Sequence, residues 1–184
     1  MIVLETQRLL LRTWKDTDLA PLTCINQDPK VCRYLPSLGN CHSTKQLIKR
    51  CIEHFNTYGF SLYAVELKET TDMIGFIGLL TPSFVAHFTP AIEIGWRLAS
   101  TQWHKGYATE GAKAVLQYAF TQLNLKELVS FTAADNWPSR RVMERIGLHH
   151  NANDDFEHPN ISLASPLRHH VLYRLSKEMY LGCI

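Results

Sequence analysis

The sequence has few of the features that mark secreted, membrane-bound or metal-binding proteins. Its cysteines are odd in number and form no Cys-x-x-Cys pair; they are Cys24, Cys32, Cys41, Cys51 and Cys183. A disulfide framework or a zinc ribbon is therefore not expected, and a reducing compartment fits best. No apolar run approaches the length of a membrane span, and the first residues, MIVLETQRLLLR, carry charges where a signal peptide is apolar. We expect a cytoplasmic protein that is neither secreted nor anchored.

An excess of charge of one sign is also missing. The chain of 184 residues carries 19 Lys and Arg against 17 Asp and Glu, which gives a formal net charge of +2. Proteins that bind nucleic acid usually have a strongly basic face, so we expect no nucleic acid partner. With 46% hydrophobic and 20% charged residues, a chain of this length can bury a sizeable core. We predict one domain over residues 1–184.

The hydrophobic pattern of the first half predicts several strands and two helices. The segment DPKVCRYLP interrupts the pattern, and three consecutive strand-like runs near the middle of the chain favour an antiparallel meander. The predicted helices span residues 16–26 and 43–55, and the predicted strands are QRLLLR (7–12), SLYAVEL (61–67), MIGFIGLL (73–80) and AIEIGWRL (91–98).

The pattern changes from Thr109, where apolar residues recur at the spacing of an amphipathic helix. A strand at 128–132, a helix at 136–146 ended by Gly147, and a last strand, HHVLYRL, follow. The second half is therefore predicted as β-α-β-α-β. Residues 151–166 form a polar loop of unusual length, for which a substrate-facing loop and a plain connector are equally weighted alternatives.

The most informative segment is a strand that enters a helix through a turn containing Gly106. Such a turn leaves unpaired N–H groups at the positive end of the helix dipole, which is an arrangement that binds phosphate. Gly106 permits close backbone approach, Ala108 adds little bulk and Lys105 supplies a charge. Any strand-to-helix connection needs a small residue, so the turn alone favours a plain connection. A Walker loop is excluded because no earlier glycine has the required spacing.

One segment resembles the pyrophosphate loop of the GNAT acetyltransferases. It is Trp103-His104-Lys105-Gly106-Tyr107-Ala108-Thr109-Glu110. It is most similar to the RimJ/RimL branch, which acetylates the N-termini of ribosomal proteins. Three more segments are similar to that branch, in the same order: ETQRLLLR followed by DTDL, NWPSRRVMERIG (136–147) and HHVLYRL. Trp103 replaces the Arg or Gln of many members, as is typical of the branch. His104 replaces a common glycine, which restricts the backbone or adds a phosphate contact.

The resemblance implies a GNAT fold of the α/β (α+β) class, with a central mixed, mostly antiparallel sheet flanked by helices. It implies acetyl-coenzyme A (acetyl-CoA) as cosubstrate and no metal. It further implies that amides of residues 104–109 bind the pyrophosphate, that residues 95–98 pair with the pantetheine arm, and that an amide near Ile94, freed by a bulge, stabilises the oxyanion. The implied coenzyme-binding residues are Ile94, Gly95, Trp96, Arg97, Leu98, Trp103, His104, Lys105, Gly106, Tyr107, Ala108, Thr109, Asn136 and Ser139.

Acetyl transfer to an amine needs a neutral amine, a stabilised oxyanion and a proton for the leaving thiolate. The resemblance implies that Ser139 donates this proton, and Asn136 as N-cap with Pro138 in the first turn positions it. Without the family, Asn136 and Ser139 are capping residues only. Glu93 is the candidate base, acting through water, with a solvent-facing glutamate as the alternative. An α-amine, with a pKa of about 7.7 to 8.0, needs less help than a lysine at about 10.4.

Histidines and cysteines give weaker indications. Neighbouring residues on a strand point to opposite faces, so the pairs His149-His150 and His169-His170 are not expected to share a metal. Similar loops in relatives suggest that His158 lines the acceptor side. Four cysteines are expected to be buried or inert, which disfavours a covalent acetyl-cysteine; they are Cys24, Cys32, Cys41 and Cys51.

Taken together, the sequence predicts an acetyl-CoA-dependent N-acetyltransferase. A primary amine, on a protein N-terminus or a small molecule, attacks the thioester directly in a ternary complex. The alternative is a non-catalytic acyl-CoA-binding regulator that has lost its acceptor site, and the presence of Ser139 and Asn136 favours the enzyme. The acceptor stays open because the fold serves many acceptors. The resemblance allows a homodimer, and no membrane partner is expected.

Overall fold

The computed structural model describes residues 1–35 and 41–182. The chain divides into two compact units. Unit 1 comprises Met1–Leu80 and Gly95–Val115, and unit 2 comprises Thr81–Ile94 and the chain from Leu116 onwards. The prediction of one domain over residues 1–184 stays a prediction.

Unit 1 is built on antiparallel strands. Strands β1 to β4 pair in chain order, each antiparallel to the next, and β5 lies beside β4. The unit contains β1 (Ile2–Glu5), β2 (Leu9–Arg12), α1 (Leu19–Gln27), α2 (Pro29–Cys32), α3 (Cys41–Tyr58), β3 (Leu62–Leu67) and β4 (Met73–Leu80), with Gly95–Leu98 of β5 (Glu93–Leu98) and the first part of α4 (Tyr107–Thr121).

The predicted strands and helices of this unit are confirmed, and two short elements are added. Strand β1 was not predicted, and α2 lies in the segment that was expected only to interrupt the pattern. Its N-cap is Asp28, whose Oδ1 accepts from the Lys30 amide at 2.9 Å, and Pro29 follows in the first turn. The last residue of that segment, Pro36, lies outside the described residues.

The core of unit 1 lies between these strands and the helices α1 and α3. Leu22, Cys51, Leu62 and Phe76 are buried together. Strand β5 approaches β4 closely at Gly75, whose φ is 138° and whose position would put a β-carbon 2.0 Å from the Arg97 carbonyl oxygen. Only glycine fits there without a backbone shift.

Unit 2 contains the parallel pairing of the sheet. Glu93 of β5 pairs in parallel with Val129 of β6, and β9 pairs antiparallel with β6, β7 and β8. The sheet is therefore mixed and mostly antiparallel, as predicted. The elements are β6 (Glu127–Ala133), α5 (Trp137–Arg145), β7 (His149–His150), β8 (Phe156–Glu157), β9 (His169–Ser176) and α6 (Lys177–Gly182), with the second part of α4.

The segment 151–166 is less irregular than predicted. It contains β8, where Phe156 pairs with His170, because Phe156 is buried in the core of the unit with Phe88, Val129 and Leu172. Gly147 has a φ of 90° and ends α5 as predicted. In residues 1–35 and 41–182, no helix combines the length and the apolar character needed to cross a membrane.

Candidate functional site

In unit 1, the turn before α4 has an irregular backbone. A short 3-10 turn (Ser100–Gln102) precedes it, and Trp103 is extended with φ −70° and ψ 161°. His104 and Gly106 then adopt left-handed conformations, with φ of 62° and 83°. A left-handed residue reverses the chain locally, so this backbone lets α4 begin at Tyr107 directly after β5 and the 3-10 turn.

The amides of this turn are available to a ligand. Within the part of the chain that the structure describes, the amides of residues 104–109 donate to no backbone carbonyl, and the Glu110 amide is the first to do so, to Gly106 at 3.0 Å. These donors lie at the positive end of a helix that runs to Thr121. The Lys105 side chain is exposed and donates to Gln102 Oε1 at 2.9 Å. The turn can therefore bind a phosphate group chiefly through its main chain.

Arg8, which immediately precedes β2, fixes the turn from outside. Its Nη1 donates to the Lys105 carbonyl at 3.0 Å, and its guanidinium lies 4.5 Å from the centre of the Tyr107 ring. Its Nε and its backbone amide donate to Glu110, at 2.6 and 2.9 Å. Thr6 Oγ1 donates to the same carboxylate at 2.6 Å. Burial opposes ionisation of Glu110, but the hydrogen bonds from Thr6 and Arg8 outweigh it and lower the pKa of this carboxyl.

The sequence alone does not predict these contacts. Arg8 and Thr6 belong there only to a segment similar to the RimJ/RimL branch, and Glu110 only to the turn motif. The partners are 102 and 104 positions apart along the chain, so no local periodicity connects them. The arginine and the glutamate in similar segments are the signal that could have suggested a pair.

The end of β5 is tied to the same turn. Trp103 Nε1 donates to the Leu98 carbonyl at 2.9 Å, which gives the tryptophan a structural role. Gly95 and Trp96 are half-buried, and Arg97 turns its side chain to Asn26 on α1, with Nη1 2.7 Å from Oδ1. The structure thus brings residues 95–98 and 103–109 together within unit 1. Their coenzyme contacts stay predictions.

In unit 2, Asn136 and Ser139 form a hydrogen-bonded pair at the start of α5. Asn136 is the predicted N-cap, and its Oδ1 accepts from the Ser139 amide at 3.4 Å. Asn136 Nδ2 donates to Thr132 Oγ1 at 2.8 Å and to Ser139 Oγ at 3.2 Å. The Ser139 hydroxyl accepts the second of these bonds, so its own proton stays available to another acceptor. The capping role is confirmed, and the catalytic role stays a prediction.

Glu93 and Ile94 lie at the start of β5. Glu93 is half-buried and pairs with Val129. Ile94 is fully buried, and its carbonyl accepts from Ser130 Oγ at 2.8 Å. This bond holds the strand end in place, while the roles of Glu93 as base and of the Ile94 amide as oxyanion donor stay predictions.

His158 lies in an aromatic cluster of unit 2. Its ring centroid is 4.5 Å from that of Phe84 and 5.0 Å from that of His170. Burial lowers the pKa of both histidines, that of His170 to about 4. Both rings are therefore neutral near pH 7. The acceptor-side role of His158 stays a prediction, and no group of three or more metal-ligating side chains occurs among residues 1–35 and 41–182.

The cysteines were expected to be buried or inert. Cys24 and Cys41 are exposed, so for these two only the inert alternative is left, as a prediction. Cys51 is buried as expected, and this raises the pKa of its thiol to about 11. A thiol that stays protonated at neutral pH is a poor nucleophile, so Cys51 is unsuited to covalent catalysis. Cys183 lies outside the described residues.

Comparison with known families identifies the class of protein. The acetyltransferase (GNAT) domain family matches residues 8–149, and the chain belongs to the GNAT acetyltransferase family. It is 32% identical to the uncharacterized protein YkkB of Bacillus subtilis (strain 168) over 149 residues. The aligned part covers 80% of this chain and 86% of YkkB. The chain is 30% identical over 145 residues to the uncharacterized N-acetyltransferase YnaD of the same strain, covering 79% and 81%.

Solved structures share the fold. An acetyltransferase from Agrobacterium tumefaciens str. C58 superposes with a TM-score of 0.76 at 28% identity, over 95% of this chain and 94% of that one. Mycobacterium smegmatis RimJ in complex with CoA-disulfide gives 0.73 at 16% identity, over 95% and 88%. The predicted family and GNAT fold are confirmed, and the RimJ/RimL branch stays a prediction. The chain is an acetyltransferase, and the regulator alternative gains no support.

Proposed function

We propose that this acetyltransferase transfers the acetyl group of acetyl-CoA to a primary amine, which attacks the thioester directly in a ternary complex. The observation that carries the proposal is the row of amides at residues 104–109, which have no backbone acceptor within the described residues and lie at the start of α4. The GNAT family uses acetyl-CoA, and the RimJ structure of the same fold is a complex with CoA-disulfide. The acceptor is a protein N-terminus or a small-molecule amine.

The residues of the turn fit the coenzyme. A pyrophosphate offers oxygen acceptors only, and the turn offers N–H donors, a helix N-terminus and the exposed ammonium of Lys105. The two left-handed residues, His104 and Gly106, allow successive amides to point to one anion. Residues 95–98 of β5 are proposed to pair with the pantetheine arm through main-chain groups.

Ser139 is proposed to act as the general acid. When the amine nitrogen forms its bond to the carbonyl carbon, the carbonyl oxygen gains charge and the carbon–sulfur bond then breaks. The leaving thiolate takes the proton of the Ser139 hydroxyl, and the proton that Glu93 receives from the amine returns through solvent to Ser139. The hydrogen bond that this hydroxyl accepts from Asn136 Nδ2, at 3.2 Å, polarises the O–H bond and improves it as a donor. The amide near Ile94 stabilises the oxyanion, and Glu93 receives the amine proton through water.

The proposed function is tested by measuring thiol release from acetyl-CoA against peptides with free N-termini, polyamines and aminoglycosides. We expect turnover on one class, and intersecting rather than parallel initial-rate lines, as a ternary complex requires. Ser139→Ala is expected to lower kcat by about 100-fold, the usual size of a general-acid contribution. Ser162→Ala, an exposed serine of the same unit, serves as the matched control.

Each outcome is decisive for one part of the proposal. Unchanged kcat in Ser139→Ala removes this serine from the mechanism. Parallel initial-rate lines indicate a covalent acetyl-enzyme. Tight CoA binding without turnover on any amine contradicts the proposed transfer.

A further inference from the structure

Arg97 carries a buried positive charge that its neighbours compensate only in part. Among the described residues its guanidinium donates one hydrogen bond, from Nη1 to Asn26 Oδ1 at 2.7 Å. Its other face lies 5.0 Å from the centre of the Phe76 ring, and its Nε is buried with no partner. None of the ion pairs between described residues includes Arg97. An amide oxygen and an aromatic face stabilise a cation less than a carboxylate does.

Arg12 shows how the same unit treats a buried guanidinium that is structural. Its Nη1 and Nη2 donate to both oxygens of Asp18, at 2.7 and 2.8 Å, and its Nε donates to Glu66 at 2.7 Å. These bonds, first of all that to Asp18, raise the pKa of Arg12. Burial instead lowers the pKa of Arg97 to about 10. Arg97 therefore differs from Arg12 in having no carboxylate partner among the described residues.

The guanidinium is also held in a fixed orientation. Asn26 is fully buried, and its Nδ2 donates to Thr44 Oγ1 at 3.0 Å. This bond fixes the Asn26 amide with Oδ1 turned to Arg97. Arg97 as a residue remains partly exposed. A guanidinium held in a fixed orientation with unused donors is preorganised for an anion, because little conformational entropy is lost on binding.

We propose that Arg97 binds a carboxylate of the acceptor, so that this enzyme acetylates amines that also carry a carboxylate, such as amino acids and acidic peptides. The inference rests on the proposed function, in which residues 104–109 take the coenzyme phosphates and leave Arg97 for the other substrate. A carboxylate is favoured because the planar fork of arginine matches its two oxygens. The coenzyme role predicted for Arg97 needs only its main chain. Its side chain can therefore bind the carboxylate of the acceptor.

The test compares acceptors that differ only in the carboxylate. The pairs are a dipeptide with a free or an amidated C-terminus, and peptides with Glu or Gln and with Asp or Asn beside the acetylated amine. Wild type is expected to prefer the acidic member of at least one pair by tenfold or more in kcat/KM. Arg97→Gln is expected to reduce that ratio at least tenfold. Arg97→Lys keeps the charge without the fork and should retain part of the preference.

Arg33→Gln is the matched control, because Arg33 is an exposed arginine of the same unit that stacks on Tyr34, and it should keep the wild-type ratio. Urea midpoints show whether the Arg97 variants are folded, and Arg97→Lys carries the test if Arg97→Gln is not. Turnover by wild type without a preference in any pair, or a preference that survives in Arg97→Gln, overturns the assignment of Arg97 alone. No turnover of any acceptor overturns the proposed function, and this inference with it.

Discussion

The residue at position 104 has a backbone conformation that glycine adopts at a lower cost in free energy. His104 has a φ of 62°, close to the 83° of Gly106, and a left-handed residue other than glycine costs about 1–2 kcal/mol. This explains physically why the branch that the sequence resembles often has glycine there. Of the two effects predicted for His104, a restricted backbone agrees with the structure, and a phosphate contact stays a prediction.

Replacing Gly106 by alanine is expected to lower the free energy of unfolding by about 1 kcal/mol, because the left-handed φ disfavours a β-carbon. The added atom would also lie 3.4 Å from Arg8 Nη2. Equilibrium urea unfolding measures the change. Gly182→Ala is the control, since Gly182 has no left-handed φ and no atom within 4 Å of the added carbon. An equal loss in both variants would contradict the role given to φ.

At the scale of elements, Arg8 connects the start of β2 to the start of α4. Glu110 places a negative charge in the first turn of the helix, where the coenzyme phosphates are proposed to bind. Arg8 pairs with this charge at 2.6 Å and donates to the Lys105 carbonyl at 3.0 Å. The positioning of the turn and its electrostatic balance therefore depend on one residue outside it.

Arg8→Ala is expected to weaken CoA binding about tenfold, the effect of losing one charge-assisted hydrogen bond in the supporting structure. Binding of pantetheine, which lacks the pyrophosphate, should not change. Isothermal titration calorimetry with both ligands separates this effect from a general loss of structure. Lys113→Ala removes the same charge from an exposed position of α4 and should bind both ligands as wild type does. Equal losses for CoA and pantetheine would show that Arg8 acts on the fold as a whole.

At the scale of the whole molecule, the longer elements were predicted from local signals. The strands β2 to β6 and β9 follow from strand-like runs, most of them bounded by turn residues, α4 follows from apolar residues at helical spacing, and α1, α3 and α5 follow from the residues that begin or end a helix. The two-residue strand β8 could not be predicted, because Phe156 is set by pairing with His170 rather than by its neighbours in sequence. A short element has too few residues to show a period.

The candidate site likewise contains features that the sequence predicts and contacts that it does not. The turn at 103–109 and the N-cap Asn136 were predicted because their geometry depends on adjacent residues. The contacts of Arg8 with Glu110 and of Arg97 with Asn26 span 102 and 71 positions, and they exist only after the strands have paired. A resemblance to a family can assign the main-chain roles, but the side-chain partners of this chain require its structure.

Each unit contains a buried group whose protonation makes stability depend on pH. In unit 2, burial lowers the pKa of His170 from 6.5 to about 4. The unfolded chain therefore binds the proton first, and stability is lost as pH falls from 6.5 towards 4. The expected loss for this one group is about 2 kcal/mol at pH 5. The pKa of His158 is lowered in the same direction.

In unit 1, the relevant groups are the carboxylates around Arg12. Burial opposes ionisation of Asp18, but the hydrogen bond from Arg12 and that from the Lys15 amide outweigh it, so the pKa of Asp18 lies below 3.8. The hydrogen bond from Arg12 likewise lowers the pKa of Glu66 below 4.5. Their contribution is present above these unfolded values and is lost as pH falls through the lower folded ones.

We therefore expect wild-type stability to fall in two pH ranges, which urea unfolding at pH 7.5, 5 and 3 will separate. His170→Phe should reduce the loss between pH 7.5 and 5, because a phenyl ring among Phe131 and Phe156 takes no proton. Arg12→Met should cost about 3 kcal/mol at pH 7.5, since it leaves Asp18 buried and unpaired. It should cost less at pH 3, where protonation of Asp18 removes the unpaired charge. A wild-type free energy of unfolding that stays constant from pH 7.5 to 5 would show that the His170 ring accepts a proton as readily in the folded protein as in water.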